Sequence, residues 1–375
     1  MDTTNEQKIF SCTCAKQILH DAVSRAEKAT GKNSSLPILS SLLFECKGKQ
    51  LIIRATNLDI GIEMEIPAKI TGEWSVAVPV QIISGLLNSL GSVKTVDITV
   101  SEGNIIISTE GSLTTIKGVS IDEFPTLPVV NEGKRFSISS NALVTGIRSV
   151  VYSASLSDIK PELSSIYIYP ERDQIVFVAT DSFRLAEKKI KGKHENDWGG
   201  VLVPYKNAIE IMRVFDGMED ILEVRFNDHQ IVIEKEGVYV TSRIVHGSFP
   251  DYRQIIPKEH TSTATILKND LINAFKLSTI VGNTFKQVIL SVSPKNKTFI
   301  IETKNSDVGT STVPVHASLT GEDIDISVNY KYITDSFSSF TTDSVHISFV
   351  GKGRPIVVTP VGDSTFTYLV MPMNR

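Results

Sequence analysis

Residues 176–183 read VFVATDSF, an apolar stretch that ends in a threonine and a short polar turn. The same pattern occurs at residues 52–59, which read IIRATNLD, and at residues 299–306, which read FIIETKNS. The three threonines are 124 and 123 residues apart. Because an apolar run bounded by polar turn residues is typical of a buried strand, these stretches are interpreted as one strand and turn that recur along the chain.

Two further landmarks keep nearly the same period. Val78-Pro79, Val203-Pro204 and Val328-Asn329 each precede a predicted helix and are spaced by 125 residues, and Phe124-Pro125 recurs 125 residues later as Phe249-Pro250. The period is too long for a solenoid repeat and fits a complete small domain. The chain of 375 residues is therefore predicted to hold three copies of one domain.

The joins between the copies are expected at polar stretches without periodicity, near Gly133 and near His260. The predicted domains are residues 1–133, 134–262 and 263–375.

Each copy is predicted to be α+β. Residues 60–66 alternate apolar and polar side chains, as a strand with one wet face does. Residues 15–30 instead carry an apolar stripe at helical spacing. Further stretches of both kinds predict antiparallel sheets with two helices on one face of each copy.

The charge is distributed unevenly. Lys plus Arg total 38 and Asp plus Glu total 42, for a net charge of −4, which argues against a simple basic nucleic-acid-binding domain. The predicted helices and their ends nevertheless carry ten basic and five acidic side chains. Two interpretations remain: random scatter over solvated helix faces, or one shared positive surface on an acidic body. The repeat symmetry favours the shared surface.

Three cysteines, Cys12, Cys14 and Cys46, are too few for a disulfide framework. Without a cluster of soft ligands they predict buried free thiols and no metal site. The first residues lack the features of a signal peptide, and no apolar run reaches the roughly 18 residues of a membrane span. A cytoplasmic protein is expected.

Sequence motifs for catalysis are absent: the chain has no P-loop, no HExxH and no GxSxG. Residues 351–354, GKGR, precede a proline and a strand and are interpreted as a basic turn. Residues 180–182 could place catalytic groups at a strand end, but the recurrence of this turn favours a structural role. The prediction is no catalytic residue and no cofactor.

Four motifs as a set identify a family. Residues 35–39 (SLPIL), 179–186 (ATDSFRLA), 249–253 (FPDYR) and 368–373 (YLVMPM) lie in an order that resembles the bacterial DNA polymerase III beta subunits, the sliding clamps. The resemblance covers the whole chain. It implies a head-to-tail homodimer closed into a ring, with the helices lining a central hole and the sheets outside.

The resemblance also implies a function. A clamp has no active site of its own and encircles duplex DNA without sequence preference, tethering DNA polymerase III for processive replication. The implied partners are the polymerase III alpha subunit, an ATP-driven clamp loader, other polymerases, and mismatch-repair or ligase-type proteins that bind through short peptides. Two alternatives are a divergent paralogue that serves a repair polymerase or does not encircle DNA, and a β-rich protein that binds a small ligand or a partner surface.

The family's partner-peptide cleft lies between the second and third domains. By position it would be lined by Thr180, Ser182, Phe183, Arg184, Leu185, Pro250, Ile255, Tyr332, Leu369, Met371, Pro372 and Met373. Phe183 stands where the family often has histidine or tyrosine. The alternative for Met371 and Met373 is that they complete a core strand.

Three DNA contacts, Lys206, Phe285 and Lys286, follow from family positions, and Lys32 lies in a DNA-facing loop in which Asn33 replaces a common arginine. The others follow from charge on the predicted helices: Lys16, Arg25, Lys28, Arg148, Arg213 and Lys276. In the dimer interface, the strand near Thr114 and Ile116 is expected to pair with the region near Ile280 and Val281.

Overall fold

The computed structural model describes residues 10–31, 36–192, 198–282 and 284–373. The described residues form 26 strands: β1 Phe10–Ala15, β2 Ser41–Lys47, β3 Gln50–Thr56, β4 Ile60–Pro67, β5 Lys69–Thr71, β6 Trp74–Pro79, β7 Thr95–Ser101, β8 Asn104–Thr109, β9 Ser112–Ile116, β10 Lys134–Ser139, β11 Ser165–Glu171, β12 Gln174–Thr180, β13 Arg184–Lys191, β14 Val201–Pro204, β15 Ile221–Phe226, β16 Gln230–Lys235, β17 Val238–Arg243, β18 Ser262–Leu267, β19 Gln287–Ser293, β20 Thr298–Asn305, β21 Gly309–Val315, β22 Ala317–Gly321, β23 Ile324–Asn329, β24 Ser344–Phe349, β25 Ile356–Pro360 and β26 Phe366–Val370.

The same residues form six α-helices, two in each sequence repeat, as predicted: α1 Lys16–Ala26, α2 Val80–Ser89, α3 Ser140–Val150, α4 Tyr205–Phe215, α5 Lys268–Ser278 and α6 Tyr330–Ser336. The helix predicted at residues 15–30 runs too long, and three others, predicted at about residues 141–152, 269–281 and 330–340, also extend past the last α-helical turn. In α1, α3, α5 and α6 the expected last turn is a 3-10 turn: Glu27–Ala29, Val151–Ser153, Thr279–Val281 and Phe337–Ser339. A 3-10 ending is common because it tightens the final turn over otherwise unpaired carbonyls.

One compact unit contains residues 1–141 and 209–244. It holds a five-stranded sheet with the order β5-β1-β7-β8-β9 and an eight-stranded sheet with the order β10-β15-β16-β17-β4-β3-β2-β6. Helix α1 buries Leu19, Ala22, Val23 and Ala26 and packs on β3 and β4. The apolar stripe predicted for this helix is therefore its core-facing side.

The second compact unit contains residues 142–208 and 245–375. It holds a nine-stranded sheet with the order β14-β11-β12-β13-β26-β25-β24-β18-β22 and a four-stranded sheet with the order β21-β20-β19-β23. A buried apolar cluster on the nine-stranded sheet joins Val178, Leu185 and Leu369 from three of its strands. This cluster underlies the predicted peptide cleft.

The larger sheets cross the joins between repeats. In the eight-stranded sheet, β17 of the second repeat pairs with β4 of the first, and in the nine-stranded sheet β26 of the third repeat pairs with β13 of the second. Every strand pair in the described ranges is antiparallel, so the α+β, antiparallel class is confirmed. At each join between two repeats, strands from both repeats form one sheet. The two compact units therefore each contain part of the second repeat. The domain boundaries at 133 and 262 stay a prediction.

All three cysteines are buried and free, as predicted. Burial raises the pKa of Cys14 to about 12, so its thiol stays protonated and unreactive at neutral pH. Among the described residues, no group of acidic, histidine or cysteine side chains is arranged to hold a metal ion. In the same ranges, no helix has the length and hydropathy of a membrane span.

Two helical glycines provide a matched test of core packing. A Cβ on Gly146 in α3 would lie 2.5 Å from ring atoms of buried Phe177, whereas a Cβ on Gly85 in α2 would meet nothing within 4 Å. Replacing a helical glycine by alanine stabilises by about 1 kcal/mol where there is space, but overpacking a core costs about 1–3 kcal/mol. We expect Gly146→Ala to lower the urea midpoint of unfolding and Gly85→Ala to raise it. Equal shifts of the same sign would contradict the packing seen at Phe177.

Candidate peptide cleft and charged helices

The turn between β12 and β13 is held by its own side chains. Thr180 Oγ1 donates a hydrogen bond to the carbonyl oxygen of Arg184 at 2.6 Å, and Asp181 Oδ1 accepts the N–H groups of Phe183 and Arg184, each at 2.9 Å. Ser182 has a φ of 78°, a left-handed conformation that is uncommon outside glycine. The turn leaves Phe183 60% exposed at its tip.

The first repeat has the same turn. Thr56 Oγ1 donates to the carbonyl oxygen of Ile60 at 2.9 Å, Asn57 Oδ1 accepts two backbone N–H groups, and Leu58 has a φ of 78°. In the third repeat β20 continues past Thr303 to Asn305, so the turn starts later. Recurrence with different side chains supports the structural interpretation of residues 180–182.

Arg184 is mostly buried and already paired. Its guanidinium lies 3.0 Å from Asp181 Oδ2 and 2.7 Å from Asp335 Oδ2, and only 12% of its side chain is exposed. The same group stacks over the ring of Tyr332, 4.6 Å from its centroid. Arg184 therefore ties the turn to α6.

The C-terminal segment lies beside this turn. Buried Leu369 pairs with Leu185 in the ladder between β26 and β13, and the Met371 N–H donates to the carbonyl oxygen of Phe183 at 2.8 Å. The Met373 N–H donates to a carbonyl oxygen of β23 at 2.7 Å. Because β26 ends at Val370, both methionines lie beyond the core strand, and the core-strand alternative is wrong.

Residues 249–256 cross the face of the nine-stranded sheet and are held there by aromatic rings. Phe249 stacks on Tyr167 with ring centroids 5.1 Å apart, and Tyr167 stacks on Tyr169. Below them, the Tyr252 hydroxyl contacts the Tyr169 hydroxyl at 2.6 Å and donates to the buried carboxylate of Glu187. Burial, reinforced by the Glu187 charge, raises the pKa of Tyr252, so its hydroxyl stays a donor.

A cavity of about 490 Å³ opens between this segment and the C-terminus. Ile255 and Met371 both line it, and they are 50% and 36% exposed. The structure thus brings the predicted cleft residues of the second and third repeats together within one compact unit. As peptide contacts they stay a prediction.

Sequence reasoning missed several residues of this site. Asp335 and Tyr152 surround the Arg184 guanidinium, Val357 lies in the apolar cluster, and Gln254 and Arg354 line the cavity. In the sequence, only the positive charge of the turn at residues 351–354 could have indicated that Arg354 lines the cavity. Nothing local marks Asp335 as a partner of Arg184, because 151 residues separate them.

The side chains predicted to contact DNA differ in whether they already make hydrogen bonds or ion pairs within the protein. Arg25 donates to the carbonyl oxygens of Val214 and Asp216 at the end of α4, so part of its guanidinium is used to cap a helix. Lys206 lies 3.4 Å from Asp158, with both side chains about three quarters exposed, and Arg213 pairs with Glu210 at 2.8 Å.

The other residues predicted to contact DNA differ in exposure. Arg148, Lys276, Phe285 and Lys286 are exposed, Lys16 and Lys28 are half-buried, and Lys32 lies outside the described residues. A shared positive surface stays a prediction.

The predicted interface residues lie near two sheet ends. Thr114 and Ile116 belong to β9, which ends the five-stranded sheet. Ile280 and Val281 lie in a 3-10 turn, and as an interface region they stay a prediction. The strand at the end of the neighbouring four-stranded sheet is β21, which packs against this turn.

Three domain descriptions of one family match the chain in order. They are the N-terminal domain of the DNA polymerase III beta subunit at residues 10–128, the central domain at 137–251 and the C-terminal domain at 253–374.

Known proteins agree over nearly the whole length. The beta sliding clamp of Synechococcus elongatus is 25% identical over 96% of this chain and 98% of its own, and that of Staphylococcus epidermidis is 24% identical over 92% and 94%. The crystal structure of the DNA polymerase III beta subunit from Thermotoga maritima is 25% identical, with a TM-score of 0.92 over 98% of this chain and all of the other.

Removing the Arg184 charge should destabilise the chain, since the Asp181 and Asp335 carboxylates, 15% and 17% exposed, lose the guanidinium and keep only two backbone N–H groups and Lys331, respectively. Deleting one member of a buried ion pair costs about 3 kcal/mol. We expect Arg184→Met to lower the unfolding midpoint in urea accordingly. The control Arg213→Met removes a pair whose arginine is 54% exposed and should cost less than about 1 kcal/mol. A loss at Arg184 no larger than at Arg213 would show that the buried pairing contributes nothing.

Proposed function

Since the chain belongs to the DNA polymerase III beta subunit family of sliding clamps, we propose that two copies close into a ring around duplex DNA in the cytoplasm and there hold DNA polymerase III on its template. The observation that carries the proposal is the match of all three family domains, in order, over almost the whole chain. A ring retains DNA by topology, so the protein needs no catalytic group of its own.

Free sheet edges support the homodimer. The five-stranded sheet ends in β9 and the four-stranded sheet ends in β21. An exposed strand edge carries unpaired N–H and C=O groups and tends to pair. Joining β9 of one copy to β21 of the other would make a nine-stranded sheet, the size of the sheet that joins the second and third repeats. Two such head-to-tail joints close a dimer with no strand edge left at either joint.

The area beside β21 supplies an apolar contact for this joint. Ile280 is 76% exposed in the 3-10 turn that packs on β21, and Leu113 on β9 is 73% exposed. Large apolar side chains at both sheet ends favour burial in an interface over exposure to water.

The proposed DNA contact is electrostatic. Exposed lysines and arginines on α3, α4 and α5 would meet phosphates, which carry no sequence information. Contacts with phosphates alone do not fix a position on the sequence and therefore permit sliding. The pairing of Arg25 with α4 holds part of its guanidinium at the end of that helix, whereas Lys276 is exposed.

The cleft on the nine-stranded sheet is the proposed docking site for partners. Its apolar floor and its exposed Phe183, Ile255 and Met371 suit an extended peptide with apolar anchors. Methionine adapts its shape, which suits a site shared by several partners. The proposed partners are the polymerase III alpha subunit, the clamp loader, and other polymerases and repair proteins.

Ile280→Lys should open the proposed ring. Burying an isoleucine contributes about 1.5–3 kcal/mol, and the change removes this from both joints while adding a charge. We expect the wild type to be a dimer that stays on nicked circular DNA in 0.5 M salt after loading and leaves once the circle is cut. The variant should be a monomer by small-angle X-ray scattering and should leave intact circles.

Ile221→Lys is the matched control, because Ile221 is 66% exposed on a strand inside the eight-stranded sheet. It should remain dimeric. A wild type that is monomeric, or equally retained on linear and circular DNA, would contradict the clamp proposal.

Met371→Ala with Met373→Ala should weaken binding of a labelled polymerase III alpha-subunit peptide at least tenfold, because the apolar contact at the cleft is lost. The ring should stay dimeric, since neither residue lies on β9 or β21. Fluorescence anisotropy measures the affinity and scattering measures the mass. Unchanged affinity in the double variant would remove both methionines from the cleft.

A further inference from the structure

A pocket lies at the join between the first and second repeats, on the face of the eight-stranded sheet that residues 124–129 cross. Its volume is about 380 Å³, within the size range of small-ligand sites. Four neighbouring strands of the sheet contribute Leu43, Arg54, Glu63 and Tyr239, and the crossing segment contributes the opposite wall. The pocket therefore combines apolar contacts with charged groups.

The crossing segment is held in place by its own contacts, so the pocket is preformed. The Tyr239 hydroxyl donates to the carbonyl oxygen of Pro128 at 2.7 Å, and the Phe124 N–H donates to that of Ile121 at 2.9 Å. Leu127 packs against the sheet at Gly61, where a Cβ would lie 2.5 Å from the leucine Cδ2. A preformed pocket loses little conformational entropy when it binds.

The second repeat shows which residue takes the place of Leu43 there. In the first repeat, Leu43 pairs with Arg54, and Arg54 pairs with Glu63 on the next strand. Counted from the recurring turn, the row at the same register of the second repeat consists of Tyr167, Val178 and Glu187. Leu43 therefore stands where the second repeat has a tyrosine.

Aromatic rings fill this place in the second repeat. The Tyr167 ring stacks on those of Phe249 and Tyr169, with centroids 5.1 and 4.9 Å away. Phe124 is the counterpart of Phe249, 125 residues earlier, and within the described ranges its ring contacts no other ring. The pocket thus corresponds to the space that a stacked tyrosine ring fills in the second repeat.

The carboxylate of the pocket lacks the phenol that its counterpart has. In the second repeat, Glu187 accepts a hydrogen bond from the Tyr252 hydroxyl. In the first repeat, Leu127 takes the place of that tyrosine, and Glu63 is bonded to Arg54 through Oε2. In the part of the chain that the structure describes, Oε1 of Glu63 accepts no hydrogen bond, and its side chain is 21% exposed. This oxygen can accept a hydroxyl group that enters the pocket.

The charge around the pocket is negative. Arg54 donates to Glu45 as well as to Glu63, and Glu65 lies on the same face of β4. Three carboxylates therefore surround one guanidinium. This excess favours an incoming segment that carries a basic side chain over one that carries an acidic side chain.

We propose that this pocket is a second docking site of the chain, for a partner segment that presents a tyrosine next to a basic residue. The incoming ring stacks on Phe124 above Leu43, as Tyr167 stacks on Phe249, and its hydroxyl donates to Glu63. The site takes this one ring and no run of apolar anchors. It shares no lining residue with the cavity beside the C-terminus, so it is independent of the proposed peptide cleft.

The test uses the peptide acetyl-Lys-Gly-Tyr-Gly-Lys-amide, with 3-fluorotyrosine as its tyrosine, titrated with the full-length protein and followed by fluorine-19 NMR. We expect a Kd on the order of a millimolar, because one side chain is the only anchor. The same peptide with 3-fluorophenylalanine lacks the hydroxyl and should bind about fivefold more weakly. A peptide with glutamate in place of both lysines should bind about fivefold more weakly at low salt, and this difference should shrink in 0.5 M salt.

Two variants test the position of the ring. Leu43→Tyr places the residue of the second repeat in the pocket and should abolish binding. Phe124→Leu keeps the wall apolar but removes the ring, and it should weaken binding about fivefold, as expected for the loss of a stacked pair. The matched control is Ile221→Tyr, at an exposed residue of the same sheet outside the pocket lining, which should bind as the wild type does. Urea unfolding checks that each variant is folded.

Four outcomes overturn the inference. The first is that the tyrosine peptide shows no saturable binding, and the second is that Leu43→Tyr and Ile221→Tyr affect it equally. The third is that the tyrosine and phenylalanine peptides bind equally well, which would remove the contact with Glu63. The fourth is that the polymerase III alpha-subunit peptide displaces the tyrosine peptide, which would place the probe in the cleft. The mass of the protein and its retention on circular DNA test the ring separately.

Discussion

The fold depends on one kind of strand pairing, in which the last strand of a repeat joins the strand that follows the polar turn of the preceding repeat. β17 pairs with β4 in this way, and β26 pairs with β13. Backbone N–H and C=O groups must be paired where water is excluded, so no repeat completes its larger sheet alone. The same rule leaves β9 and β21 at the ends of the two smaller sheets, and the proposed dimer follows from it.

The two joints share this geometry and differ in chemistry. At the second joint, Leu185 and Val178 belong to an apolar cluster under the cleft. Their counterparts at the first joint are Gly61, over which Leu127 lies, and Arg54, which is hydrogen-bonded to two glutamates. At the first joint the surface that corresponds to the cleft is charged and is partly covered by Leu127, so it leaves little apolar area for the apolar side chains of a peptide. The difference supports placing the partner cleft at the second joint, and it arises from side chains alone.

Much of this architecture could be predicted from patterns of short range. Alternating apolar residues indicated strands such as β4, and the recurring threonine turn appeared in the first two repeats with its expected structural role. The failures have physical causes. The helices were predicted too long because side-chain periodicity continues through a 3-10 turn. The region near Ile280 and Val281 was expected to pair with a strand, and the structure adds that these residues lie in such a turn beside the edge strand β21.

The sequence by itself determined the three repeats, the α+β class, the family and the turn at residues 180–184, because each depends on periodicity or on hydrogen bonds between near neighbours. Only the tertiary structure decided what the charged groups do. Arg25 caps a helix 189 residues away, and Arg184 pairs with Asp335, 151 residues away. The partner of a long cationic side chain is whichever acceptor the packing brings within about 3 Å, and no local pattern records that distance.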